Sequence, residues 1–324
     1  MRRNPYSLSN LLILAGCLAL TAPALRAQSA TWQPSPGHTQ IPIWPGAAPG
    51  PQHIAGAETY DDGTHSKDRI AGKTVASIEK VSRPTLTVYS PQGKNTGAAV
   101  VVFPGGGYWI LAIDLEGTEV CDWLTAKGIT CVLLKYRVPG NNLSPRSGAY
   151  PDSPMALQDA QRTMGLVRLH AAEWRIDPHK VGVLGFSAGG HLVAAISTNY
   201  ARRIYPPVDA ADKQSCRPDF AVALYPGHLM EHTTRAFQLN PYVPVTRQTP
   251  PTFLVQAEDD PVDPVEESLV YFSALKKAGV PVEMHIYATG GHAFGLRRTN
   301  FPITEWPALV EKWLATVGII PPLG

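Results

Sequence analysis

Short apolar runs alternate along most of the chain with longer segments in which apolar residues recur at helical spacing. The run at 98–103 is uninterrupted and rich in β-branched residues, which is typical of a strand buried on both faces. In the segment 155–174 the apolar residues are three or four positions apart, which predicts a helix. By these criteria we predict strands at 85–89, 98–103, 129–136, 180–184, 220–225, 252–256 and 282–287.

The same pattern predicts helices between these strands, at 116–127, 155–174, 188–198, 265–278 and 304–317. Strands that alternate with helices of this length indicate an α/β fold with a mostly parallel central sheet and helices on both faces. Ligands of such sheets bind at the carboxyl ends of the strands. The loops that follow the strands are therefore the segments in which we look for chemistry.

The amino-terminal segment has a different pattern. Arg2 and Arg3 precede an apolar run at 11–20, which is too short to cross a bilayer, and small residues follow it. We therefore expect 1–27 to be an export signal and the protein to be periplasmic or secreted, with a lipoprotein signal ending at Cys17 as the alternative. We expect an irregular lead-in rich in proline and glycine at 28–68, and a single α/β domain at 69–324.

Composition narrows the classes of function. The 324 residues are 44% apolar and 17% charged, with a net charge of +2, which is typical of a globular protein without a nucleic-acid partner. We expect no stable membrane insertion of the mature chain.

Without Cys17 three cysteines remain, so at most one disulfide can form, and buried free thiols are the default expectation for Cys121 and Cys131. No Cys/His spacing resembles a metal site.

The loop after the strand at 180–184 reads Gly-Phe-Ser-Ala-Gly and leads directly into a helix. This G-x-S-x-G spacing is that of a nucleophile elbow, in which Ser187 stands on a sharp turn between strand and helix. The helix amino end and the N–H of Ala188 then face the position where negative charge would develop. A purely structural turn has the same composition, so the motif needs support from other loops.

Support comes from the loop after the strand at 98–103, which reads Pro-Gly-Gly-Gly. Consecutive glycines allow backbone N–H groups to point into a site, so Gly106 and Gly107 are candidates for an oxyanion hole together with Ala188. A flexible turn or a phosphate loop is the alternative. A phosphate loop would require G-K-[ST] or G-x-G-x-x-G, and neither motif follows this strand.

Two later loops supply an acid and a base. The loop after 252–256 holds three aspartates, of which Asp260 resembles the acid of many α/β-hydrolases, because a stretch that ends in Pro-Val begins three residues after it. For Asp259 and Asp263, turn formation and capping of the following helix are the alternative roles. His292 lies in a glycine-rich loop after the last predicted strand. The chain order Ser187, Asp260, His292, each after its own strand, is that of α/β-hydrolases.

From residue 41 to the carboxyl terminus the sequence resembles bacterial exported α/β-hydrolases related to acetyl-xylan and other carbohydrate esterases, some of which are labelled xylanases. The resemblance is carried by FPGGGYWILAIDLEG, VLGFSAGGHL, LQDAQR and the segments 41–46, 134–138, 250–268 and 278–296. It implies an α/β-hydrolase fold and a serine carboxylesterase acting on short acyl esters such as acetylated xylan, without a cofactor or metal. The family's triad maps onto Ser187, Asp260 and His292. The sequence departs from the family at Asp263, where relatives often carry an apolar residue.

Several further residues have two interpretations. Tyr108, Trp109 and His228 are candidates for substrate contacts, with lid or packing roles as alternatives. For Asp114 and Glu116 we expect capping and charging of the start of the following helix, with lining of the mouth of the site as the alternative. Asp159 and Arg162 are expected to form an ion pair on one helix face. The alternative functions are a serine peptidase or amidase, a glycoside hydrolase that needs two opposed carboxylates, and a non-catalytic carbohydrate-binding protein.

Overall fold

A computed structural model describes residues 31–50, 54–140, 148–231 and 237–322. The predicted export signal at 1–27 and Cys17 lie outside the described residues. Within these ranges the strands are β1 (Ile41–Pro42), β2 (Thr59–Asp61), β3 (Ser77–Glu79), β4 (Thr85–Tyr89), β5 (Ala99–Phe103), β6 (Ile110–Ala112), β7 (Thr130–Lys135), β8 (Val181–Phe186), β9 (Ala221–Leu224), β10 (Thr252–Ala257) and β11 (Val282–Tyr287).

The main sheet has eight strands in the order β1-β4-β7-β5-β8-β9-β10-β11. The pairs β1–β4 and β4–β7 are antiparallel, and every later pair is parallel. All residues of β5, β7, β8, β9 and β10 are buried. This explains why these strands are continuous apolar runs in the sequence, and it confirms the predicted α/β fold with a mostly parallel sheet.

Helices cover both faces of the sheet. They are α1 (Glu119–Ala126), α2 (Met155–Leu169), α3 (Ala188–Thr198), α4 (Val265–Ala278) and α5 (Trp306–Thr316). On one face Trp306 packs against Trp123 of α1 and against Phe186. Successive residues of a strand face opposite sides of the sheet, so Gly185 faces away from Trp306. It lies against α3, which in turn contacts α2. Because β5 and β7 to β11 run in the same direction, their carboxyl ends lie at one edge of the sheet, and α3 begins at that edge.

The lead-in at 28–68, which we expected to be irregular, contains two short strands. β1 extends the main sheet, and β2 forms a second, antiparallel sheet with β3 and β6. Trp44 is buried, and its indole Nε1 donates to Asp159 Oδ1 over 2.9 Å. This contact spans 115 positions of sequence, so no local pattern could have indicated it.

Two further expectations were wrong. Asp159 pairs with buried Arg137 rather than with Arg162, whose guanidinium binds Asp209 and Asp212 instead. Cys121 and Cys131 are not free thiols: they form a disulfide between α1 and β7, with 5.1 Å between their Cα atoms. Cys216 is a buried free cysteine. Among the described residues, no helix has the length and apolarity that a membrane crossing requires.

Candidate active site

Ser187 stands at the junction of β8 and α3 with a φ of +52° and a ψ of −120°. Its backbone N–H donates to Leu224 O at 3.0 Å, which fixes the turn against β9. A Cβ at position 185 would overlap the carbonyl oxygen of Gly189, and one at 189 would overlap that of Phe103. The two glycines of the motif are therefore required by the close passage of the strand, the helix and the neighbouring loop, as the sequence predicted.

His292 lies between the serine hydroxyl and a buried carboxylate. Its Nε2 is 3.0 Å from Ser187 Oγ, and its Nδ1 is 2.8 Å from Asp260 Oδ2. Asp260 Oδ1 accepts from the backbone N–H groups of Val262 and Asp263 at 2.8 and 3.0 Å. Burial lowers the pKa of His292, but the hydrogen bond and charge of Asp260 and the charges of Asp263 and Glu116 outweigh it, so that the net shift is upward. The structure thus brings the three predicted residues into one hydrogen-bonded chain.

Asp263 has a different position from the one we expected. Its Oδ2 lies 3.4 Å from Ser187 Oγ and 3.9 Å from His292 Nε2. It does not cap α4, because that helix begins after Pro264 without a side-chain cap. Burial is the main cause that raises the pKa of Asp263 to about 6. Asp259, the third aspartate of the loop, accepts from the backbone N–H of Gly291 at 2.8 Å.

The glycine loop after β5 lies beside Ser187. Gly106 and Gly107 have φ values of +128° and +62°, which favour glycine. No described residue accepts a hydrogen bond from the N–H of Gly106, Gly107 or Ala188. These are the groups that the sequence predicted for an oxyanion hole. Gly105 is different, because its N–H donates to Glu116 Oε2 at 2.7 Å.

Glu116 lies within the site, which was the alternative interpretation of this residue. We expected it to charge the start of a helix, but the structure buries it and gives it two donors. These are Gly105 N and the hydroxyl of Tyr225, which is 2.8 Å from Oε1. The Tyr225 ring in turn packs against His292, with 4.9 Å between ring centroids. Burial raises the pKa of Glu116. One carboxylate therefore connects the glycine loop to the residue that supports the histidine.

Asp114, the neighbouring acid, has a structural role. Its Oδ1 accepts from the backbone N–H groups of Leu115 and Ala76, and its Oδ2 pairs with Arg297 at 3.0 Å. Asp114 is the first residue of a short helical segment, Asp114–Thr118, which begins without a side-chain cap, so the predicted capping role was wrong.

The predicted substrate-contacting residues differ in exposure. Tyr108 is only 1% exposed, and its hydroxyl is 2.7 Å from His191 Nδ1, so stacking of its ring on a sugar is excluded in this conformation. Burial lowers the pKa of His191 to about 3, which leaves it neutral and able to accept from Tyr108. Trp109 is 44% exposed beside Gly107. His228 is half-buried and packs against the rings of Tyr108 and His191.

Clusters of three or more metal-ligating side chains are absent from the described part of the chain. The groups that the site itself presents are a hydroxyl, an imidazole, carboxylates and the backbone N–H groups of the neighbouring loop.

Sequence comparison identifies two overlapping family matches. A model of the prolyl oligopeptidase family matches residues 158–317, and the family described as BD-FAE matches residues 86–225. Together they extend from β4 to just past α5 and include Ser187, Asp260 and His292.

Two curated relatives match part of their own length. An acetylxylan esterase of Xylanibacter ruminicola is 30% identical over 242 residues, which are 70% of this chain and 47% of the relative. An endo-1,4-beta-xylanase B of Butyrivibrio fibrisolvens is 26% identical over 234 residues, which are 67% of this chain and 36% of the relative. The chain thus spans less than half the length of each.

A solved structure matches along nearly its whole length. It is an acetyl ester-xyloside bifunctional hydrolase from Caldicellulosiruptor lactoaceticus, with a TM-score of 0.64 and 31% identity. The match covers 87% of this chain and 97% of the other. An esterase of Thermogutta terrifontis, at 21% identity and a TM-score of 0.62, shares the fold.

Proposed function

Because the chain belongs to the α/β-hydrolase family of carboxylic ester hydrolases, we propose that it is a serine esterase whose triad is Ser187, His292 and Asp260. One observation carries this proposal. The Ser187 hydroxyl lies within hydrogen-bond distance of His292, whose other nitrogen binds a buried carboxylate, and beside them are the N–H groups of Gly106, Gly107 and Ala188, which donate to no described residue. A hydroxyl, a base, an orienting acid and a binding site for an oxyanion are what acyl transfer requires.

The reaction proceeds in two steps in this proposal. Ser187 Oγ attacks the ester carbonyl carbon while its proton passes to His292 Nε2, and the N–H groups of Gly106 or Gly107 and Ala188 bind the oxyanion. The bond to the alcohol oxygen then breaks as His292 returns the proton to that oxygen. Water attacks the acyl-enzyme with His292 again as the base, which releases the acid and restores Ser187. Asp260 holds the tautomer with the proton on Nδ1.

The proposed substrates are esters of short acyl groups, acetyl above all, on carbohydrates such as acetylated xylan. The names of the acetylxylan esterase and of the acetyl ester-xyloside hydrolase support this class of substrate. Exposed Trp109 beside the glycine loop supports it as well, because an indole is a suitable surface for a sugar ring. We also propose export of the chain by the signal at 1–27.

Peptide hydrolysis is the second candidate, and it is favoured by the match to the prolyl oligopeptidase family. Amides and esters are cleaved by the same triad, so the geometry of Ser187 and His292 does not separate them. The difference in chemistry lies in the leaving group, because an amine must be protonated before it departs.

One assay separates these candidates. Purified protein is incubated with p-nitrophenyl acetate, a peptide p-nitroanilide, acetylated xylan and deacetylated xylan, and the products are nitrophenol, nitroaniline, acetate and reducing sugar. Release of nitrophenol, and of acetate from acetylated xylan without reducing sugar, is the expected result. Faster release of nitroaniline would favour the peptidase, and reducing sugar from deacetylated xylan would favour a glycosidase.

A further inference from the structure

The triad has a carboxylate beside it that the proposed mechanism does not use. Asp263 Oδ2 is 3.4 Å from the hydroxyl oxygen of Ser187 and 3.9 Å from His292 Nε2. In the proposed mechanism, Nε2 is the nitrogen that exchanges protons with the substrate. Asp260, by contrast, binds the other nitrogen of the same ring. Asp263 therefore lies on the substrate side of the histidine.

The bonding of Asp263 gives its side chain no structural task. Its backbone is fixed, since its N–H donates to Asp260 Oδ1 and its carbonyl oxygen accepts from Gln256. Among the described residues, the Ser187 hydroxyl at 3.4 Å is the only hydrogen-bond donor near this carboxylate, although an ionised carboxylate can accept about four hydrogen bonds. Its side chain is 17% exposed and lies against Gly227. Acceptor capacity is thus left over at the point where a substrate would enter.

The leaving group fixes what approaches this carboxylate. To receive its proton, the alcohol oxygen must come within hydrogen-bond distance of His292 Nε2, which is also the neighbourhood of Asp263 Oδ2. An ester oxygen has no proton to donate, so a simple alkyl ester desolvates the carboxylate without replacing its hydrogen bonds. A hydroxyl on the adjacent carbon lies about one hydrogen-bond length from the ester oxygen and can donate to Asp263.

We propose that Asp263 determines specificity for the alcohol part of the substrate, favouring esters that carry a free hydroxyl next to the ester oxygen, as partly acylated sugars and polyols do. This inference rests on the proposed esterase function and adds the class of leaving group. Since burial raises the pKa of Asp263 only to about 6, the group is ionised at an assay pH of about 8 and forms charge-assisted hydrogen bonds.

Ethylene glycol monoacetate and methoxyethyl acetate test this directly, because they differ only in whether the neighbouring oxygen carries a proton. We expect wild type to prefer the free hydroxyl by roughly tenfold in kcat/KM, the lower end of what a hydrogen bond to a charged, partly exposed group supplies. Asp263→Val should bring the ratio close to one, and Asp263→Asn should give an intermediate ratio. The ratio within each variant is independent of how much of the protein is active.

Glu258→Gln is the matched control, because Glu258 is an exposed carboxylate of the same loop. It should keep the wild-type ratio. Equal rates on both esters in wild type, or an unchanged ratio in both Asp263 variants, would overturn the role of Asp263. If wild type hydrolyses neither these esters nor p-nitrophenyl acetate, the proposed esterase function fails, and this inference fails with it.

Discussion

Asp260 and Asp263 contact opposite nitrogen atoms of His292, although they are three positions apart in one loop. Only Asp260 binds Nδ1, so we expect Asp260→Asn to lower kcat by about 10⁴-fold through stabilisation of the wrong tautomer. Asp263→Asn should lower kcat far less on p-nitrophenyl acetate, because its contact with Ser187 is longer. Steady-state kinetics of the two variants decide the point. If Asp263→Asn is the more damaging change, the acid of the triad is Asp263.

The charges around His292 predict the acidic limb of the pH profile. In the proposed mechanism His292 must be neutral to accept the serine proton, and Asp260, Asp263 and Glu116 together hold its pKa above the ordinary value for histidine despite burial. Activity should therefore be lost as the pH falls through the pKa of His292, which lies above the ordinary value for histidine. Asp263→Asn removes a negative charge 3.9 Å from Nε2 and should lower the pKa of His292, so the acidic limb of the pH profile of kcat/KM should move to lower pH. An unmoved limb, or one at higher pH, would show that Asp263 does not act on His292.

At the scale of elements, the glycine loop is held by one buried residue of the helical segment before α1. Glu116 accepts from Gly105 N and from Tyr225, and glutamine offers one carbonyl oxygen where the carboxylate offers two. We expect Glu116→Gln to lower kcat about tenfold with little change in KM, because a displaced loop weakens the oxyanion contacts more than the binding of substrate. Unchanged kcat per active site, counted by titration with a serine-directed inhibitor, would limit Glu116 to a structural role. Asp122→Asn, on the exposed side of α1, is the control.

The sequence predicted the elements that depend on local pattern and missed contacts between distant ones. α3, α4, β4 and β11 have the predicted bounds, since their periodicity and the flanking glycines are local signals. The candidates Ser187 and His292 came from motifs of five or six residues. Glu116 meets Tyr225 over 109 positions and Tyr108 meets His191 over 83, so neither contact leaves a trace in local spacing. For Asp263 the local sequence offers only a turn or a cap of the following helix, whereas Ser187, beside which the structure places it, is 76 positions away.

At the scale of the whole molecule, the segment between α3 and β9 lies away from the nucleophile. α3 has 11 residues, a rise of about 16 Å, and this segment begins at its far end and binds Arg162 of α2 through Asp209 and Asp212. Beside the glycine loop, buried Tyr108 and His191 fill the space. The segment at 199–217 is also rich in charged residues, so additional methylenes of an acyl chain should remain in water and contribute little of the about 0.8 kcal/mol that each could give if buried.

We therefore expect kcat/KM to be highest for acetyl or butyryl esters and to fall steeply for octanoyl and palmitoyl esters of the same alcohol. The series is measured with p-nitrophenyl esters below their solubility limits. A maximum at octanoyl or longer would contradict the short-acyl preference and indicate a lipase-like enzyme.

The most direct test of the account is the hydrolysis of p-nitrophenyl acetate by wild type and by Ser187→Ala. In the proposed mechanism Ser187 Oγ forms the covalent bond to the acyl group, so its loss should reduce kcat/KM by at least about 10⁴-fold, while circular dichroism and Tm show an intact fold. Activity near that of wild type in a folded Ser187→Ala variant would contradict the account, because the nucleophile would then be another group.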